Sequence, residues 1–194
     1  PGHIHVKDPV VYAAADGSTD MLFCSHPFCW SCANTGLARR GPGAATFSVV
    51  TQHVAQRGVT WDVAGTRVTS RFAVPPVGVF GGPGPQAWVV LYDGLECVRQ
   101  HDENRRGVSR PRGHSCEEIG GAMAGSGSDI ASYERLSDLF PLFVSPWGTG
   151  ASRYADVLVT EQGLHATWEQ SQGDLSQPLV GASLTMDQVE ALLR

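Results

Sequence analysis

The sequence predicts an all-β fold in which small antiparallel sheets stack side by side, closed by one short C-terminal helix. Three observations carry this. The apolar runs are short and rich in Val, Leu, Thr and aromatic residues. The 23 Gly and 12 Pro cluster around those runs, a distribution that suits many turns between short strands and leaves little room for long helices. Finally, three stretches share one layout, each bringing charged or polar groups to the start of an apolar strand: His5 to Ala38, Trp61 to Ala122, and Ser152 to Ala182. Small sheets of this kind stack because one alone cannot bury its apolar face.

In chain order, residues 5–12 and 19–25 form a hairpin, because Asp16-Gly17 within the turn Ala15–Ser18 supplies the positive φ of a tight reversal. Gly41-Pro42-Gly43 punctuates the next connection, and Ala45 to Val54 alternates as an outer strand. Residues 66–74 and 87–92 make the next pair, separated by a stretch from Pro75-Pro76 to Pro85 too rich in Pro and Gly for regular structure. Tyr92-Asp93-Gly94 reads as an acidic turn, followed by a polar insertion to His114. Loops of more than about a dozen residues are commonly functional or disordered. Gly125-Ser126-Gly127-Ser128 is a turn, and Tyr133 to Val144 an outer strand or short helix. Thr185-Met186-Asp187-Gln188 is a capping box opening a helix with Val189, Leu192 and Leu193 on one face. The whole is one domain over 1–194, with units at about 1–58, 59–144 and 145–184 and a helix over 185–194.

The chain has 194 residues, 42% hydrophobic and 17% charged, as expected for a soluble domain with a sizeable core. The net charge is -5, and the basic residues are scattered apart from Arg105, Arg106, Arg110 and Arg112. Nucleic acid is therefore not an expected partner. The Arg knot is either a solvated loop or one leaning over an anionic or sugar ligand. No apolar run approaches the roughly 18 residues of a membrane span, so no membrane insertion is expected. The chain opens Pro1-Gly2-His3 with no signal-peptide pattern. Five Cys, an odd number, fit reduced thiols and a cytoplasmic setting better than a disulfide framework.

If four-stranded sheets radiate from an axis, propeller-like, the innermost strand of each aims its ends at a central funnel. Asp8, Asp62 with Arg67, and Arg153 with Asp156 fall at such positions among Val and Leu. Buried charges must neutralise one another or meet a polar ligand, and for Asp8 both readings stand. Glu117 and Glu118 point to opposite sides of a strand, so one of them faces the funnel. Paired carboxylates suit glycosidic cleavage, which needs a protonated acid and an ionised base or nucleophile. The alternative for the pair is a solvated edge. Trp30, Trp61, Trp88, Tyr92, Trp147, Tyr154 and Trp168 supply flat apolar faces of the kind a sugar ring packs on, although any one of them also suits a core. His3 and His5 share one side of a strand near Asp8, so a metal site is conceivable. Cys29 and Cys32 form a lone Cys-x-x-Cys without the second pair of a zinc site. No Gly-x-Ser-x-Gly elbow, phosphate loop or dinucleotide fingerprint occurs, and no cofactor is expected.

Three motifs carry a resemblance: His5-Val6-Lys7-Asp8-Pro9-Val10-Val11; Tyr92-Asp93-Gly94 followed by Glu117-Glu118-Ile119-Gly120-Gly121-Ala122; and Ser145 to Tyr154. Together they resemble the five-bladed β-propeller glycosidases, most nearly bacterial proteins similar to glycoside hydrolase family 43, related to arabinanases and fructosidases. The resemblance implies three funnel acids: an Asp base or nucleophile, an orienting Asp and a Glu acid. Asp8 matches an Asp role, most nearly the orienting one. Glu117 or Glu118 matches the acid. Arg153 matches an Arg that contacts substrate hydroxyls or holds a carboxylate, and Asp93 belongs to a motif without an assigned role. Trp30, Arg67, Tyr154 and Trp168 join Asp93 and Arg153 as candidate substrate-binding residues, with a carbohydrate as the implied ligand. Five blades of about 45–50 residues need roughly 230 residues or more, and three units are visible. The resemblance therefore leaves the first Asp either to a unit outside these residues or to Asp62. The expected activity is glycosidic hydrolysis. The competing expectations are a non-catalytic sugar-binding module and a metal-dependent enzyme using His3, His5 and Asp8.

Overall fold

The computed structural model describes residues 5–14, 16–26, 32–96, 117–127, 129–174 and 176–194, without the side chains of Glu96 and Glu117. Three antiparallel sheets follow one another along the chain. The first comprises β1 (His5–Ala13), β2 (Thr19–His26), β3 (Asn34–Arg40) and β4 (Ser48–Ala55). The second holds β5 (Gly65–Ala73), β6 (Ala87–Glu96), β7 (Glu117–Ser126) and the two-residue β8 (Glu134–Arg135). The third holds β9 (Ser152–Thr160), β10 (Gly163–Gln170) and β11 (Leu179–Thr185), and α1 (Met186–Leu192) follows. Each sheet is a simple meander, with neighbours in sequence paired in space. This is the all-β array of propeller-like blades expected, with three strands rather than four in the last.

The expected hairpin forms with Ala13 opposite Thr19 and Gly17 at φ 79°. Cross-strand Asp20 and Arg39 close the blade as an ion pair with two hydrogen bonds, 2.6 and 2.8 Å. The capping box also forms: Thr185 Oγ1 accepts from the Gln188 amide and Gln188 Oε1 from that of Thr185. Of the expected apolar helix face, Val189 is buried, but Leu192 is exposed.

Two sequence expectations change. Tyr92-Asp93-Gly94 is not a turn: it lies within β6, opposite Val68, Arg67 and Thr66. The glycine there answers a packing demand, because a Cβ at Gly94 would overlap the Trp61 ring and come within 2.8 Å of Asp62 Cβ. Tyr133 to Val144 yields neither a full strand nor a helix. A 3-10 turn at Ile130–Ser132, capped by Asp129, leads into β8, and the chain then runs irregularly, touching the sheet through the bridge Gly120–Phe143. Asp138 and Pro141 lie in that run, and neither residue type favours a strand. The insertion after Glu96 and the Arg105–Arg112 knot lie outside the described residues.

The core packs Leu22, Val54, Trp61, Val68, Val90, Tyr92, Ile119, Met123, Ile130 and Tyr133 between the first and second blades. Hydroxyls stitch the blades together where backbone groups would otherwise lack partners. Thr35 Oγ1 donates to Thr66 O and accepts from the Val68 amide, and Thr66 Oγ1 donates to Ala55 O. Between the second and third blades, Thr69 Oγ1 donates to Ala155 O and Ser70 Oγ to Asp156 Oδ1, 2.7 Å each. The innermost strands β5 and β9 are thereby joined, and β1 meets β5 through Asp8 and Arg67.

Gly94→Ala is expected to destabilise by about 1–3 kcal/mol through overpacking. Gly82→Ala, with nothing near its would-be Cβ, should be close to neutral. Urea unfolding of both variants checks the contrast.

Candidate functional site

The three innermost strands bring one residue each to a common point: Asp8 from β1, Arg67 from β5 and Tyr154 from β9. Arg67 is among the largest fully buried side chains, and its guanidinium is the hub. Nε and Nη2 both donate to Asp93 Oδ2, at 3.1 and 2.5 Å. Nη1 meets Asp8 Oδ2 at 3.2 Å, Glu118 Oε1 at 2.8 Å and the Tyr154 hydroxyl at 3.3 Å. The same guanidinium lies 4.1 Å from the Tyr154 ring centroid, within cation–π range. Arg153 extends the network, donating from Nη1 to Glu118 Oε2 and from Nε to Glu169 Oε2, 2.8 Å each. Lys7 Nζ stands 3.5 Å from Asp8 Oδ2.

Local backbone geometry aims these groups. Arg67 and Asp93 are directly opposed across β5 and β6, so their pairing follows from register. Asp8 and Tyr154 both have φ 54°, in the left-handed region that Asp visits more readily than Tyr. At Asp8 this coincides with a register shift between Lys7 and Val10, a bulge that re-aims the side chain. At Tyr154 the amide donates to both Asp93 oxygens, at 3.1 and 3.2 Å, so Asp93 anchors the strained residue as well as Arg67.

Burial pushes the Asp93 carboxyl up to about 6, against the opposing pull of Arg67. Glu118 resists its own burial because Arg67 and Arg153 hold it below the ordinary carboxylate range. The Arg67 guanidinium overcomes its desolvation through Asp93 and Glu118 and stays protonated. Asp8 keeps the most solvent contact of the three carboxylates on Arg67. With Pro9, Val10, Val68, Thr69 and Tyr154 it lines a cavity of about 180 Å³. Small-molecule pockets commonly run to roughly 300–1,000 Å³, so this cavity is smaller than a typical one.

Of the sequence candidates, Asp8, Arg67, Asp93, Glu118, Arg153 and Tyr154 converge. Asp62 does not join them. It is buried elsewhere, accepting at Oδ2 from Arg135 Nε and the Tyr92 hydroxyl at 3.1 Å each, beneath the Trp61–Tyr92 stack. The two faces of β6 explain the separation: Tyr92 and Asp93 are successive and point opposite ways. Trp168 also stands apart, lining a cavity of about 380 Å³ with Leu91, Phe143 and Pro146 between the second and third blades. Trp30, His3 and the Glu117 side chain lie outside the described residues. Among the described residues no three His, Cys, Asp or Glu side chains gather as metal ligands. Cys24 is buried, its thiol pushed up to about 11 by desolvation, which argues against nucleophilic use. Sequence reading missed Glu169 as the second carboxylate on Arg153. The two are directly opposed across β9 and β10 only because the register shifts between Thr167 and Glu169; the hairpin around Glu161-Gln162 alone would set Glu169 opposite Tyr154, so the sequence carried no signal for the pair.

No family model matches the chain, and no curated protein does. Solved structures do. A complex of BT0996 with RGII aligns with TM-score 0.59 at 12% identity, covering 94% of this chain and 55% of that one. A glycoside hydrolase aligns with TM-score 0.58 at 12% identity, again over 94% and 55%. A thermostable family-43 glycoside hydrolase aligns with TM-score 0.57 at 10% identity, over 93% and 55%. The likeness is one of fold: the chain has the architecture of part of a glycoside-hydrolase propeller and spans about half the length of these proteins.

Replacing Arg67 by Met is expected to cost about 3–5 kcal/mol, because it strands buried carboxylates; the cost should shrink towards pH 4 as they take up protons. The two acids pull stability in opposite directions. Glu118, held low, stabilises above its ordinary 4.5 and loses that contribution as pH falls through its folded value. Asp93, held high, favours the fold below its ordinary 3.8 and loses that contribution as pH rises through about 6. Urea midpoints against pH should show Glu118→Gln flattening the acid limb and Asp93→Asn the limb between pH 4 and 6.

Proposed function

We propose that this chain engages a carbohydrate at the axial end of its blades, as part of a glycosidase-type protein, with Asp8 as the carboxylate that meets the sugar. The observation that carries the reading is the convergence of Asp8, Arg67 and Tyr154 from three innermost strands, in a fold shared with glycoside hydrolases. Asp8 supplies a partly exposed carboxyl group to accept from sugar hydroxyls, and the Tyr154 ring and Pro9 supply apolar surface beside it.

In the hydrolytic form of this reading, one acid protonates the leaving oxygen while an ionised carboxylate serves an oxocarbenium-like centre. Of the carboxylates on Arg67, Asp8 is the one open to that centre. Glu118 is a poor proton donor near neutrality, since Arg67 and Arg153 favour its charged form; we assign it to positioning the two arginines. Asp93 holds a proton more readily but is fully buried on Arg67 and the Tyr154 amide, out of reach of a ligand. The donor role falls to an acid beyond this cluster. A second reading, sugar binding without turnover, is favoured by the arginine partners that hold both Glu118 and Asp93.

Calorimetric titration with oligosaccharides, run beside hydrolysis of an aryl-glycoside panel, tests both forms. Asp8→Asn should weaken binding by about tenfold or more. If the protein is hydrolytic, the same variant should lower turnover at saturating sugar by about a hundredfold or more. Binding without turnover supports the second reading. Neither binding nor turnover across neutral and acidic sugars defeats the proposal.

A further inference from the structure

A second cavity opens at the same end of the first blade as Asp8, further from the axis. The described residues lining it are Asn34, His53, Gln56, Arg57, Gly58 and Val63, around about 580 Å³. That volume lies within the roughly 300–1,000 Å³ of small-molecule sites, which the cavity at Asp8 does not reach. Strand register fixes its place. Val6 stands opposite Ser25 and Ser25 opposite Asn34, while Thr35 stands opposite Ala55. Asn34 and the segment leaving β4 are therefore level with the start of β1. Neighbouring strands lie about 4.8 Å apart, so Asn34 is two strands outward from the one that carries Asp8, a distance of roughly 10 Å.

The character of this lining points to a ligand. Asn34 is 5% exposed, and no hydrogen bond from the described residues reaches its side-chain amide. Burying an amide without a partner is costly, so the group calls for one. Arg57 is exposed, and among the described residues its guanidinium has no ion pair, hydrogen bond or aromatic contact. The other described arginines all have partners. Arg39, Arg67, Arg135, Arg153 and Arg194 each hold a carboxylate, and Arg40 and Arg71 meet hydroxyls and aromatic rings. No carboxylate is among the described residues of the lining. Asp62 stands directly behind Gly58, but it is 1% exposed and pairs with Arg135.

The groups on offer are a guanidinium, the amides of Asn34 and Gln56, and the His53 imidazole. The segment that presents them is tied down by the Gln56 carbonyl, which accepts from Arg135 Nη2. A planar guanidinium matches a carboxylate in geometry as well as in charge, whereas hydroxyls alone leave its charge uncompensated. We infer that this cavity is a subsite for a carboxylate carried on the saccharide, a uronate unit, with Arg57 as counter-ion and Asn34 as the buried hydrogen-bond partner. The inference rests on the reading of Asp8 as a sugar contact: one ligand runs from the axial cavity outward over the first blade and sets its acidic unit between Asn34 and Arg57. Discrimination then divides between the two cavities. Asp8 accepts from any sugar that reaches it, and the outer cavity distinguishes an acidic chain from a neutral one.

Calorimetric titration with a uronic-acid oligosaccharide, and with the same oligosaccharide after reduction of its carboxyl groups to alcohols, tests this. The acidic form should bind about tenfold more tightly or better, and its advantage should shrink as ionic strength rises, because Arg57 is exposed. In Arg57→Gln the two forms should bind alike. Asp8→Asn should weaken both and keep the difference. Free glucuronate, a single ring that cannot span both cavities, separates this inference from the reading beneath it: its binding should be lost in Arg57→Gln and kept in Asp8→Asn. Equal affinity of the two oligosaccharides for the unaltered chain, or an acidic preference that survives Arg57→Gln, overturns the subsite and leaves Asp8 as a sugar contact. Glucuronate binding that depends on Arg57 and not on Asp8 supports the subsite even where Asp8→Asn leaves oligosaccharide affinity intact. Binding of neither oligosaccharide nor glucuronate overturns both.

Discussion

Everything at the axial end of the molecule depends on one buried cation. Arg67 carries its charge into the interior with essentially no exposed surface, a placement that costs several kcal/mol unless the geometry of its partners is nearly complete. The requirement is met from all three blades: Asp8 from the first, Asp93 and Glu118 from the second, and the Tyr154 hydroxyl and ring from the third. The three carboxylates are mutually repulsive without the guanidinium, and the guanidinium is untenable without them. Blade order and register are therefore tied to electrostatics at a single point. That is a stronger constraint than the apolar contacts between blades, which tolerate small slides.

The same network limits what the site is able to do. A carboxylate between two arginines is a good acceptor and a poor acid, which separates Glu118 from Asp8 although both touch Arg67. Of the carboxylates on that guanidinium, the one left most open to solvent is the one beside the small cavity. What this point of the structure presents to solvent is a partly exposed carboxylate beside an aromatic ring.

Much of this was legible in the sequence, and for identifiable reasons. The hairpin at Asp16-Gly17 and the capping box at Thr185 are local signals in which a few residues determine the geometry. The repeated layout of charge followed by an apolar strand pointed to converging innermost strands, and Asp8, Arg67 and Arg153 are where that layout put them. What could not be read was anything that depends on which face a residue takes. Asp62 and Asp93 look equivalent in sequence, each an acid following an aromatic residue, yet one is sealed under Trp61 and Tyr92 while the other reaches the axis. Gly94 carried a false turn signal, because a glycine required by a neighbouring indole is indistinguishable in sequence from one required by backbone conformation. Glu169 was invisible until the pairing of β9 with β10 set it opposite Arg153.

The left-handed backbone at Tyr154 ties the path of the third blade's innermost strand to a carboxylate of the second. A tyrosine in that conformation is strained by an amount of order 1 kcal/mol, and the carboxylate that captures its amide also neutralises the neighbouring guanidinium. Loss of that one carboxylate would therefore release a main-chain amide of one blade and a guanidinium of another at once.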